Sequence, residues 1–165
     1  MFPSDTIQLL HPPQDVRNIH IGIVYTQWNA RLTEMMHYDA VQTLKSFGIV
    51  QDNIHSVQVP GAVEIPFVAK ELAEKTTPSL AGVLTLGCVI QGDTPHFEYV
   101  AMSVTQGITQ LNIQYSIPFI FGVLTTNNYQ QAIERAGIKG KEYAVSLLNM
   151  VGIHQRLQEQ GKKDF

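Results

Sequence analysis

The stretch GCVIQGDTPHFEYV, residues 87–100, packs three kinds of chemistry together. An apolar run ends at Ile90, a turn of Gly92, Asp93 and Thr94 follows, and Pro95 and His96 come next. Thr94 is a good helix cap, and Pro95 suits a first helical position, where a missing N–H costs nothing. His96 then falls in the first turn. Free N–H groups at 92–94 and the helix dipole would make an anion site. A neutral imidazole beside a bound phosphate is placed for proton transfer. The same spacing fits a plain capping turn whose histidine faces solvent.

Other residues have similar double readings. Trp28, the single tryptophan, follows a strand in TQWNA. Its indole could stack on a flat ring, or anchor a core or interface. Asn29 could cap a helix or touch a ligand. Glu64, in PGAVEIP, could accept hydrogen bonds from sugar-like hydroxyls, or simply favour a helix start. Gly61 would let backbone approach a ligand. Arg135, in AIERAG, reads as a solvated arginine unless a phosphate or carboxylate lies near. Phe121 reads as core at a strand's carboxyl end. Cys88 reads as a small buried hydrophobe, with no neighbour that would activate a thiolate.

These residues need elements to hold them. IHIGIVYT (19–26), IHSVQV (54–59), LAGVLTLGCVI (80–90) and IPFIFGVLTT (117–126) are short, apolar, β-branched runs and predict strands. Helical spacing predicts helices over 31–48 with Gly48 as the stop, over the stretch that follows PGAVE as far as Thr77-Pro78, and over 95–115. Two more are predicted, at 128–137 and from about 141 to about 160. Strict alternation predicts an α/β fold: a four-stranded parallel sheet in a flavodoxin-like three-layer sandwich. Sites in such folds gather at strand carboxyl ends, which selects TQWN, PGAVE, VIQGDTPHF and FGVLTTNN. Residues 1–17 read as an N-terminal arm, in which TIQLL could form an edge strand against a neighbouring subunit. Residues 18–160 form a single domain, and 161–165 a tail.

Bulk properties exclude several classes. The chain has 165 residues, 44% apolar and 15% charged, enough for one well-filled core. A net charge of −3 without a basic stripe gives no support for a nucleic-acid partner or an anionic membrane. One cysteine permits no intrachain disulfide and suits a reducing, cytoplasmic setting. Six scattered histidines give no metal-ligand spacing, so no metal is expected. No apolar run approaches the ~20 residues of a membrane helix. The absent glycine-rich phosphate loops and G-x-S-x-G elbow argue against flavodoxins and α/β-hydrolases.

Five blocks in order, QWN, VPGAVEIP, GCVIQGDTPHFEYV, FGVLTTNN and QAIERAG, resemble the 6,7-dimethyl-8-ribityllumazine synthase family over about residues 19–151. The resemblance implies condensation of 5-amino-6-ribitylamino-uracil with 3,4-dihydroxy-2-butanone 4-phosphate, with no cofactor. It implies that Trp28 stacks on the pyrimidine, with Asn29 also in the substrate site. Ala62, Val63 and Glu64 would bind the ribityl chain, and Val89 and Ile90 backbone the heterocycle edge. Gly92, Asp93, Thr94 and Arg135 would hold phosphate, and His96 would shuttle protons. Phe121 would close the pocket from an adjacent subunit. Homo-oligomers built from pentamers are implied. Two departures stand out: Gln91 replaces the family's usual Arg or Lys, and IKGKEYA is shorter than the family's lysine-bearing loop. Lys139 or Lys141 would replace the loop lysine, with Lys139 a further phosphate candidate. A weakly active or non-catalytic lumazine- or flavin-binding shell homologue is the alternative expectation.

Overall fold

The computed structural model describes residues 6–161; residues 1–5 of the expected arm and 162–165 of the expected tail lie outside it. The elements run β1 (Ile21–Thr26), α1 (Ala30–Ser46), β2 (Ile54–Val59), α2 (Ile65–Lys75), β3 (Gly82–Ile90), α3 (His96–Gln114), β4 (Phe119–Thr126) and α4 (Tyr129–Gly161). The sheet is four-stranded and parallel, in the order β2-β1-β3-β4. This is the expected flavodoxin-like arrangement. β3 is central, and its residues from Gly82 to Cys88 are buried throughout, as a strand covered on both faces requires.

The two side-chain directions of each strand feed two cores. Ile21, Ile23, Leu84 and Leu86 pack with Met36 and Leu44 of α1 and Leu147 and Leu148 of α4. Val24, Val83 and Val123 pack with Ile65 of α2 and Val104 and Ile108 of α3. All strands point the same way, so their carboxyl ends open onto one rim. Among the described residues no helix is long and apolar enough to cross a membrane.

Gly48 stops α1 as its sequence predicts. It has φ +100°, and the Ile49 N–H returns to the Leu44 carbonyl at 3.1 Å, the backbone closure of a glycine-ended helix.

Two local expectations change. The helices expected at 128–137 and 141–160 are one continuous α4. No proline interrupts this span, and each interior glycine, Gly137 and Gly140 among them, costs only ~1 kcal/mol against alanine. Gly140 marks a helix contact instead: a Cβ there would lie 2.4 Å from the Met36 carbonyl oxygen of α1. Thr94 does not cap α3. The helix starts at His96, Pro95 takes the cap position, and no side chain caps it. TIQLL pairs with no strand of its own chain, and the pairing expected of it is with a neighbouring subunit. The arm lies along α4, where Asn149 Oδ1 accepts the Leu10 and His11 N–H groups at 2.9 Å each. Asn149 Nδ2 donates to the Gln8 carbonyl at 2.9 Å. Gly152 permits the approach, since a Cβ there would meet the His11 carbonyl oxygen at 2.0 Å.

Candidate active site

A cavity of about 490 Å³ opens on the rim beyond β1 and β3. Trp28, Asn29, Ala62, Val63, Glu64, Val89, Ile90 and His96 all line it. They come from the loop after β1, the turn before α2, the end of β3 and the start of α3. The topology therefore joins four separated pieces of sequence.

The β1 loop is pinned by backbone. Gln27 N–H donates to Val59 O at 2.8 Å and Trp28 N–H to Pro60 O at 3.1 Å. The Thr26 hydroxyl donates to Trp28 O at 3.0 Å. Trp28 is left 74% exposed, its indole at the cavity mouth rather than in a core. Gly61 gives it room, since a Cβ there would stand 3.2 Å from Trp28 Cδ1. Glu64 turns back so that Oε2 accepts the Gly61 N–H at 2.9 Å. Its helix-start role and its place on the cavity wall thus coexist.

Cys88 is 4% exposed. Burial pushes its thiol up to about 11, so it is a neutral wall of the cavity. Asn29 has φ 57° and does not cap α1 with its side chain. Its Nδ2 donates to the Cys88 carbonyl at 2.8 Å.

Strand alternation separates Val89 from Ile90. Val83 N–H donates to Pro118 O at 2.9 Å and Gln91 N–H to Thr126 O at 2.8 Å, both on the β4 side. The Cys88 carbonyl accepts from the opposite side. Alternate residues face alternate neighbours in a parallel ladder. Val89 backbone is thus turned into the β4 pairing, and Ile90 backbone faces the cavity side. Of the two backbone contacts expected from sequence, Ile90 is the one the strand leaves open.

Gly92, Asp93 and Thr94 form an exposed loop leading into His96. Among the described residues none of their N–H groups has a hydrogen-bond partner. Gly92 is not required by the fold: its φ is not left-handed, and a Cβ there meets nothing within 4 Å. His96 is exposed and lines the cavity beside Val100. Val100 was not singled out from sequence; its i+4 spacing from His96 was the available signal.

The remaining expected residues do not join this cavity within one chain. Phe121 is the third residue of β4, 37% exposed, and neither core nor strand terminus. It lines a separate groove of about 580 Å³ with Met102 and Asn127, on another face of α3. Arg135 is exposed on α4, where its guanidinium donates to Gln131 O at 3.4 Å. Lys139 forms an ion pair with Glu142, whose side chain is 6% exposed. That pairing spends the lysine's charge on a buried carboxylate. Among the described residues no three His, Cys, Asp or Glu side chains gather where they could share a metal ion.

A family model for 6,7-dimethyl-8-ribityllumazine synthase matches residues 18–155. A Parabacteroides distasonis protein of that name is 50% identical over 141 residues, which is 83% of this chain and 87% of the relative. A Porphyromonas gingivalis protein of the same name is 44% identical over 143 residues, covering 84% and 88%. With the family model spanning the whole sheet and every residue that lines the cavity, the chain belongs to the 6,7-dimethyl-8-ribityllumazine synthase family.

Proposed function

We propose that this protein condenses 5-amino-6-ribitylamino-uracil with 3,4-dihydroxy-2-butanone 4-phosphate to 6,7-dimethyl-8-ribityllumazine, the penultimate step of riboflavin biosynthesis. The observation that carries the reading is the cavity itself. It presents an exposed indole face, an open strand edge, a carboxylate and an imidazole to one volume. Trp28 stacks on the pyrimidine, and the Ile90 edge reads its polar rim. Glu64 and the backbone at Ala62 and Val63 hold the ribityl hydroxyls. The free N–H groups of Gly92, Asp93 and Thr94 take the phosphate, with Arg135 closing over it.

The chemistry asks for placement rather than a strong nucleophile. The substrate amine attacks the ketone carbonyl, and loss of water leaves a Schiff base. Phosphate then departs and the ring closes with loss of a second water. His96 moves protons in these steps. Its position at the start of α3 sets it beside the leaving phosphate.

The same reading makes the chain a subunit of a homo-oligomer built from pentamers. Phe121 and Arg135, remote from the cavity in their own chain, complete it in a neighbour. The exposed apolar side chains of Phe67 on α2 and of Tyr99, Met102 and Ile113 on α3 support a covered face. The single cysteine fits a cytoplasmic site of action.

The test supplies both substrates to the purified protein and follows lumazine absorbance together with phosphate release. Both signals should rise in equal amounts. Substrate binding without either signal would overturn the assignment.

A further inference from the structure

The β1–β3 ladder ends before the cavity begins. Paired positions run from Ile21↔Gly82 to Tyr25↔Leu86. On its other side β3 stays paired with β4 as far as Ile90↔Thr126. Residues 87–90 therefore have a strand neighbour on one side only. Had β1 continued in register, the next donor to the Cys88 carbonyl would be the Trp28 N–H. That N–H goes instead to Pro60 O at 3.1 Å.

Asn29 fills the gap. Its Nδ2 meets the Cys88 carbonyl at 2.8 Å. A carbonyl can only accept, so the amide orientation is fixed with its NH₂ towards β3. The backbone of Asn29 is left-handed, with φ 57° and ψ 40°. Asparagine enters that region more readily than most side chains. Local conformation and long-range bond thus ask for the same residue type.

We propose that Asn29 is a positioning residue whose side-chain amide replaces the missing β1 backbone and holds the Ile90 edge where the heterocycle is read. This rests on the ribityl-pyrimidine reading of the cavity. It gives Asn29 an action through the Cys88 carbonyl, not a direct one on the reacting atoms. The phosphate end is insulated from it. Residues 92–94 lie beyond Gln91, whose N–H bond to Thr126 is independent of Asn29.

Two variants test the tie. Asn29→Gly deletes the amide and keeps the left-handed backbone accessible. Asn29→Asp keeps the shape and sets an acceptor against the Cys88 carbonyl. Trp28 is the single tryptophan, so its fluorescence reports ligand at the cavity. The Kd for 6,7-dimethyl-8-ribityllumazine, read by Trp28 quenching, should rise about five- to tenfold, the worth of one hydrogen bond. The KM for the butanone phosphate should stay within about twofold, because its contacts are separate. Without ligand, amide hydrogen exchange across residues 87–90 should quicken in both variants. Unchanged exchange and an unchanged Kd would overturn the proposal. So would equal losses at both substrates with a lowered Tm, which would mark a general folding role. If the parent protein itself fails to bind the lumazine, the ribityl-pyrimidine reading falls, and the exchange comparison still decides whether Asn29 holds β3.

Discussion

His96 and Glu64 reach the cavity from different helix starts, and they differ in what else they do. Glu64 already closes the turn before α2 through its bond to the Gly61 N–H. Its removal would therefore disturb local structure as well as ligand contact. The His96 imidazole makes no hydrogen bond to protein among the described residues, so its replacement isolates chemistry. His96→Ala should slow turnover by roughly ten- to a thousandfold while the pyrimidine still binds, the range of a general acid–base group. Steady-state rates beside a direct binding titration make this check, and an unchanged kcat would remove the imidazole from the reaction. Cys88 borders the same volume but has its thiol pushed up by burial. Its neutral form suits a wall and not a nucleophile.

At the scale of elements, α1 meets the β1–β2 edge through His37. The ring stacks on Tyr25 with centroids 4.3 Å apart, and its Nε2 lies 2.8 Å from the Ser56 hydroxyl. Burial lowers its pKa below the usual 6.5, with the Glu34 carboxylate opposing in part. The folded protein thus takes up this proton less readily than the unfolded chain. The contribution of the neutral ring is complete above the unfolded value, and is lost as pH falls through the folded one. His55, at the start of β2, is lowered in the same direction by burial and by His20, so His37 accounts for part of the acid sensitivity. Thermal melts of His37→Gln should show a shallower fall of Tm between about pH 7 and pH 5 than the parent. Parallel pH profiles for the two proteins would rule His37 out.

At the scale of the whole molecule, the separation of Phe121 and Arg135 from the cavity becomes a prediction about assembly. A site that takes His96 from one protomer and Arg135 from another can be rebuilt from two defective chains. Co-expressed His96→Ala and Arg135→Ala variants, each nearly inactive alone, should recover about a quarter of parental activity if subunits mix at random in a symmetric oligomer. Recovery no greater than the sum of the two separate variants would put both residues in one chain's site. The Lys139–Glu142 pair bears on the same region. Because that lysine is already paired, Arg135 and Lys141 are the cations of this stretch of α4 outside an ion pair among the described residues, and the loss of Arg135 should be felt strongly.

Much of this was legible in the letters. Short β-branched runs and helical spacing specified the strands, their parallel order and the rim where function gathers, because hydrophobic period reports which face is buried. The five blocks singled out Trp28, Glu64 and His96, which the fold then gathers round one cavity. What the letters left open depends on partners distant in sequence. The stretch 138–140 reads as a gap between two helices until Met36 is seen against Gly140. TIQLL gives no sign of Asn149, whose side chain takes up backbone bonds of the arm. Val89 and Ile90 look equivalent until the ladder shows which one faces β4. Asn29 reads as a cap or a contact until Cys88 is found 2.8 Å from its amide. Local pattern determined the elements, because periodicity and turn chemistry are short-range. Tertiary structure alone decided which hydrogen bonds each side chain is still free to make, since that depends on where every other strand ends.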